Sequence, residues 1–216
     1  MIISDKHQCI FIRVPKNAST SIEHELIVSD PHCVLSDESL PPYGHQLASE
    51  VRAIAGEDKW TEYFKFAVFR EPESRYLSTY VYKKDYRFPH HQRLHWLLDE
   101  NKSFPDPEDK VIDKHMFVRM HAYNTYYCEP SGAYQQIDWL DEEGIYVASM
   151  DNLQREWQLI CDKIQLPHRK LPRYNTSQSN DYTLDIDARM LMMMMYKEDF
   201  NYYKTLWKGN NQFTGT

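Results

Sequence analysis

A chain of 216 residues with 42% hydrophobic and 14% aromatic residues can bury one sizeable core, which excludes global disorder and points to a single domain over residues 1–216. Its 25 Lys and Arg are outnumbered by 32 Asp and Glu. The net charge of −7 offers no general attraction to nucleic acid or to an anionic membrane, so neither is expected as a partner and any bound anion must be held locally.

Met1 to Gln8 carries Asp5, Lys6 and His7 with no long apolar run behind it, so no secretory signal or membrane anchor is expected and the protein reads as cytoplasmic. Cys9 to Val14 (CIFIRV) is nearly continuous in apolar residues, the pattern of a strand buried on both faces. A polar turn, Pro15 to Ser19, follows, and Thr20 with Glu23 has the spacing of a capping box ahead of Ile22, Leu26 and Ile27. Pro41 and Pro42 mark a loop. In Gly44 to Ala55 the residues Leu47, Val51, Ile54 and Ala55 fall on one helical face, with Gly56 placed to end the helix.

Phe64 to Phe69 (FKFAVF) is a second buried-strand pattern, and Pro72 suits the first turn of a helix carrying Tyr76, Leu77, Tyr80 and Val81. Arg87 to Pro107, rich in Pro, His and charge, reads as an irregular excursion suited to face an acceptor. Glu108 to Tyr123 reads as helical, Gly144 to Ala148 as a third strand, and Asn152 to Ile164 as a helix with Leu153, Trp157, Ile160 and Ile164 inward. A last helix is expected from Asp187 to Trp207, its Met192 to Met195 run packing in the core. The four cysteines, 9, 33, 128 and 161, have no CxxC spacing and fit reduced thiols. Alternating strands and helices predict an α/β fold with a mainly parallel sheet flanked by helices on both faces.

In such sheets ligands bind beyond the carboxyl ends of the strands, where a helix N-terminus presents N–H groups to an anion. Pro15-Lys16-Asn17-Ala18-Ser19-Thr20-Ser21 occupies such a place and combines a cation with three consecutive hydroxyls, a composition suited to phosphate or sulfate. An ATP or GTP P-loop would need glycines and a late lysine; here no glycine is present and Lys16 comes early. Arg70 directly follows the second strand, where a guanidinium can grip phosphate in bidentate fashion, and Ser78 lies in the helix opened by Pro72. Arg75 and Lys83 share that helix but read equally well as surface charges.

Together FIRVPKNASTSIE (Phe11 to Glu23) and FKFAVFREPESRYLSTY (Phe64 to Tyr80) resemble two segments of the sulfotransferases that use 3′-phosphoadenosine-5′-phosphosulfate (PAPS), in particular the branch containing glycan O-sulfotransferases, family 2 of that superfamily. The resemblance implies a P-loop-like sulfotransferase fold. It implies that Pro15, Lys16, Asn17, Ala18, Ser19, Thr20 and Ser21 hold the 5′-phosphosulfate, and that Arg70 and Ser78 hold the 3′-phosphate. A weaker likeness through LPRYNTSQS makes Arg173, Asn175, Thr176 and Ser177 candidates to close over the nucleotide. Asn17-Ala18 stands where relatives carry glycine or another small residue.

The implied chemistry is sulfuryl transfer from PAPS to an acceptor hydroxyl on a glycan or related small molecule, driven by positioning and electrostatics. No metal is expected, since no carboxylate cluster or His/Cys metal spacing is recognisable. Lys16 would stabilise charge on the bridging oxygen. Among the ten histidines His45, between the two motifs, is the candidate base that takes the acceptor proton, with Glu38 in reserve. His90, His91 and His95 with Arg87 and Arg93 read as a solvated basic loop or, if functional, a grip for an anionic acceptor. Two alternatives remain open: a noncatalytic nucleotide- or glycan-binding module on the same fold, and a P-loop kinase.

Overall fold

The computed structural model describes residues 1–36, 44–85, 110–127, 134–174 and 181–211 of the protein. In chain order the strands are β1 (Ile2–Ser4), β2 (Cys9–Ile12), β3 (Val34–Leu35), β4 (Phe64–Phe69), β5 (Val111–Ile112), β6 (Ile145–Ser149) and β7 (Thr183–Leu184). The α-helices are α1 (Ser19–Ser29), α2 (Ala48–Ala55), α3 (Glu57–Glu62), α4 (Pro72–Asp85), α5 (Lys114–Tyr127), α6 (Leu153–Ile164), α7 (Ile186–Met195) and α8 (Lys197–Asn211). A 3₁₀ helix over Gln136–Leu140 precedes β6.

Five strands form one sheet in the order β3-β1-β2-β4-β6, while β5 and β7 pair separately. The three apolar runs read as strands are its parallel core: β4 lies between β2 and β6, with Phe66 opposite both Phe11 and Tyr146. The expectation of a mainly parallel sheet is corrected, because β1 pairs antiparallel with both β2 and β3. The reason is the connection. Only Asp5 to Gln8 separate β1 from β2, too few residues for the crossover that parallel pairing needs, so the chain closes a hairpin with Gln8 at φ 46°.

Successive strand residues point to opposite faces, and the core divides accordingly. Cys9, Phe11, Phe66, Val68 and Ala148 pack with Ile22 and Leu26 of α1 and with Trp157 and Ile160 of α6. Ile10, Ile12 and Ala67 face the other way, onto Ala48 and Val51 of α2, Trp60 of α3 and Trp139. Phe11 stacks on Phe66 across the β2–β4 pair with centroids 4.9 Å apart. A third cluster joins Tyr76 and Tyr80 of α4, Phe117 and Met120 of α5, and Ala188 and Met192 of α7.

Several local expectations change. Thr20 and Glu23 form no capping box: α1 begins at Ser19 after Ala18, and Glu23 instead pairs with the Arg13 guanidinium at 3.1 Å. Ile54 is exposed, so the inward face of α2 is Ala48 and Val51, with Leu47 and Ala55 packed partly buried against the same cluster. The 108–123 stretch gives up Val111–Ile112 to β5, paired with β7, before α5 starts at Lys114. The last helix is two, α7 and α8, broken at the buried Tyr196. Of the methionine run only Met192 is in the core; Met193 and Met194 are exposed, as helical spacing requires of residues adjacent to it, and Met195, one turn on, is exposed as well. Among the described residues no helix is long and apolar enough to cross a membrane, and no group of three His, Cys, Asp or Glu is placed to share an ion.

Candidate active site

The β2–α1 loop is bent by two non-glycine residues in the left-handed region, Lys16 at φ 67° and Ala18 at φ 58°. Each costs roughly 1–3 kcal/mol and persists only where surroundings fix it. Those surroundings are four consecutive carbonyls, each taken by a side chain. The Arg13 carbonyl meets His45 Nδ1 at 2.7 Å, Val14 accepts from Ser19 Oγ at 3.0 Å, Pro15 from Arg75 Nε at 3.2 Å, and Lys16 from Arg70 Nη1 at 3.2 Å. In a trans peptide the next N–H points opposite its carbonyl, so the Lys16 and Asn17 N–H groups are directed away from these donors. A loop that turns its carbonyls inward in this way directs these N–H groups where they could meet an anion.

The helix behind it agrees. Ala18 caps α1 with no side-chain hydrogen bond, and the first turn carries no acid. Elsewhere acids fill that role: Glu71 accepts from the N–H groups of Glu73 and Ser74 at the start of α4, and Asp185 from Ala188 on α7. Among the described residues, then, no side-chain cap or first-turn acid offsets the partial positive charge at the N-terminus of α1.

The three loop hydroxyls do not converge, because helical neighbours are about 100° apart. Ser19 is buried and folds back to Val14, Thr20 is exposed, and Ser21 accepts from the Tyr174 N–H at 3.5 Å. That last contact, with the Tyr174 ring 5.2 Å from His24, lays residues just after Leu171 on α1 and brings exposed Arg173 to the same end. Asn175, Thr176 and Ser177, like Glu38 and the Arg87 to Pro107 stretch with His90, His91 and His95, lie outside the described residues.

Arg70, at the carboxyl end of β4, reaches both motifs. Its Nε donates to Ser74 Oγ at 2.9 Å, one helical turn before the buried Ser78 on α4, while its Nη1 touches the Lys16 carbonyl. Burial lowers the pKa of this guanidinium from its ordinary value.

Arg75 corrects the surface-charge reading. It is 2% exposed, donates to the carbonyls of Pro15 and Tyr134, and lies with its guanidinium carbon 5.5 Å from the centre of the Trp139 ring. A buried arginine is tolerated only with such partners, so its role is to hold the loop. Lys83 lies on α4 with a side chain outside the described residues.

His45 does not start a helix. It sits in the extended approach to α2, after Gly44 at φ 81°, with its own carbonyl accepting from Trp139 Nε1 at 3.0 Å. A carbonyl can only accept, so Nδ1 carries the proton toward Arg13, and in the neutral ring the lone pair falls on Nε2.

Two residues that sequence patterns did not single out complete the assembly, Gln136 and Asp199, both fully buried. The Asp199 carboxylate accepts from the N–H groups of Gln136 and Ile137 at 2.8 and 2.9 Å. In return the Gln135 side chain accepts from the Glu198 and Asp199 N–H groups at 2.9 and 3.3 Å, so the 3₁₀ helix and α8 cap one another. Burial pushes the Asp199 carboxyl upward, against Arg75 and these N–H donors, which favour its ionised form. An acid in the first turn of α8 is the one local signal that could have marked this pair.

Searches of curated proteins and of solved structures return no match. A family-wide sequence model described as the sulfotransferase family matches residues 1–204, a span that contains β2, the loop before α1, Arg70, Arg75 and Asp199. With that match over nearly the whole chain, the chain belongs to the sulfotransferase family and is a transferase of that kind.

Proposed function

We propose that the protein transfers a sulfuryl group from PAPS to an acceptor hydroxyl, on a carbohydrate or related small molecule. The observation that supports this reading is the contact of Arg70 with the Lys16 carbonyl at 3.2 Å, since a guanidinium suited to gripping phosphate then lies against the loop read as the 5′ site. Two adjacent anion sites of different make suit one nucleotide with two charged ends. PAPS would supply the sulfuryl group when bound.

The Lys16 side chain and the N–H groups of Lys16 and Asn17 would hold the 5′-phosphosulfate at the N-terminus of α1, with Ala18, Ser19, Thr20 and Ser21 shaping that end. Arg70 and Ser78 would hold the 3′-phosphate, and residues from Arg173 onward would cover the nucleotide. His45 Nε2 would take the acceptor proton, and Lys16 would stabilise the charge that grows on the leaving oxygen. The glycan-type acceptor rests on the resemblance of the two motifs to the glycan O-sulfotransferase branch.

Calorimetry tests the donor. Adenosine 3′,5′-bisphosphate is expected to bind well and AMP poorly, and Arg70→Ala to weaken the bisphosphate by about 1.5–3 kcal/mol through loss of a charge-assisted bond. Equal affinity of the parent protein for both nucleotides, or an unaffected folded variant, would remove Arg70 from the 3′ site.

A further inference from the structure

Gln136 uses every hydrogen-bonding position of its side chain. Oε1 accepts from Asn17 Nδ2 at 2.6 Å and from the Arg70 N–H at 3.0 Å. Nε2 donates to the Arg70 carbonyl at 2.8 Å and to Asp199 Oδ2 at 3.4 Å. The Arg70 backbone fixes the orientation of the amide, since its N–H demands an acceptor and its carbonyl a donor. One side chain therefore clasps both polar groups of Arg70, at the mouth of β4, and the side chain of Asn17, in the middle of the β2–α1 loop.

Asn17 is itself anchored. Its Nδ2 also donates to the Val68 carbonyl at 2.7 Å, and the residue is 1% exposed between the two left-handed positions Lys16 and Ala18. The strained loop is thus tied through Asn17 to the same glutamine that sets the Arg70 backbone. Asp199 holds that glutamine at its main-chain N–H and at Nε2, from the far side, on α8. Gln136 meets the loop through the Asn17 side chain and meets Arg70 through its backbone, and Asp199 meets Gln136.

We propose that Gln136 is a positioning residue that fixes the separation of the two anion sites, matching the pair to a nucleotide charged at both its 5′ and 3′ positions. The proposal rests on the reading of the loop and Arg70 as the two ends of one nucleotide site. A ligand that engages both sites gains from their being held at the right spacing, whereas a ligand that engages one site does not. Gln136 accordingly governs discrimination between a bisphosphorylated and a monophosphorylated nucleotide rather than affinity for phosphate as such.

The test is the ratio of association constants for adenosine 3′,5′-bisphosphate and AMP, measured by calorimetry on the full chain and on Gln136→Met. Methionine keeps the length and volume of the side chain but makes none of its hydrogen bonds. The ratio is expected to fall by about tenfold or more, with AMP affinity within about threefold of the parent protein. A role in stability alone would lower the melting temperature and leave the ratio of the folded protein unchanged. An unchanged ratio therefore overturns the proposal while the donor assignment stands. A parent protein that binds both nucleotides equally overturns the two-site reading and the proposal with it. Should Gln136→Met not fold, Gln136→Glu is read by the same ratio and the same criteria, because it keeps the side-chain length and an acceptor toward Asn17 but loses the amide donor to Arg70.

Discussion

Replacing His45 with alanine is expected to lower turnover by roughly 10²–10⁴-fold while leaving nucleotide affinity near that of the parent protein, the signature of a lost general base. The geometry behind this is the Nδ1 contact to the Arg13 carbonyl at 2.7 Å, which holds the ring on the loop that would bind phosphosulfate. Because Nδ1 is the donor there, Nε2 is the atom that can take a proton. His45→Gln should not rescue turnover. A glutamine N–H can replace the bond to Arg13, but an amide oxygen is too weak a base to accept the acceptor proton. Turnover of the parent protein should also fall on the acid side, where a proton on Nε2 removes its lone pair. A folded alanine variant with more than about a tenth of the parent turnover would exclude a hundredfold contribution, and Glu38 would be the next residue to replace.

Lys16→Ala is expected to reduce turnover by roughly 10²–10³-fold, more than it weakens donor binding, because in the proposed site the ammonium would act where charge develops on the leaving oxygen. The backbone should tolerate the change: Lys16 is already left-handed at φ 67°, two residues before an alanine at φ 58°. Bonds that shape the loop, from Arg70, Arg75 and Ser19 to main-chain carbonyls, are left in place by alanine at position 16. A variant with normal turnover and only a raised Michaelis constant for PAPS would show that Lys16 binds the ground state and nothing more.

What the sequence disclosed follows from how local each feature is. The strands β2, β4 and β6 were legible because each is a run dominated by apolar residues, buried throughout in β2 and from Phe66 onward in β4, while β6 at the sheet edge is half-buried at Ile145 to Val147. The strand β1 was not, since Ile2 and Ile3 are too short a signal and the turn at Asp5 to Gln8 carries no Asn-Gly or Asp-Gly pair. That omission is why the sheet was expected to be mainly parallel. Lys16 and Arg70 stood out because cations at strand ends have a local meaning. Arg75 did not, because its burial is decided by Trp139 and the carbonyls of Pro15 and Tyr134, all remote in sequence. Gln136 and Asp199 lie 63 residues apart, and only the folded chain makes them neighbours.

The central claim is tested most directly by following a sulfur label from PAPS in the presence of EDTA, with a panel of carbohydrate and small-molecule hydroxyl acceptors. The expected result is label on an acceptor with one adenosine 3′,5′-bisphosphate released per transfer, unaffected by the chelator. Tight binding of PAPS with no transfer to any acceptor and no turnover of the donor would instead describe a noncatalytic module. Transfer of phosphate from ATP, restored by magnesium, would contradict the account outright.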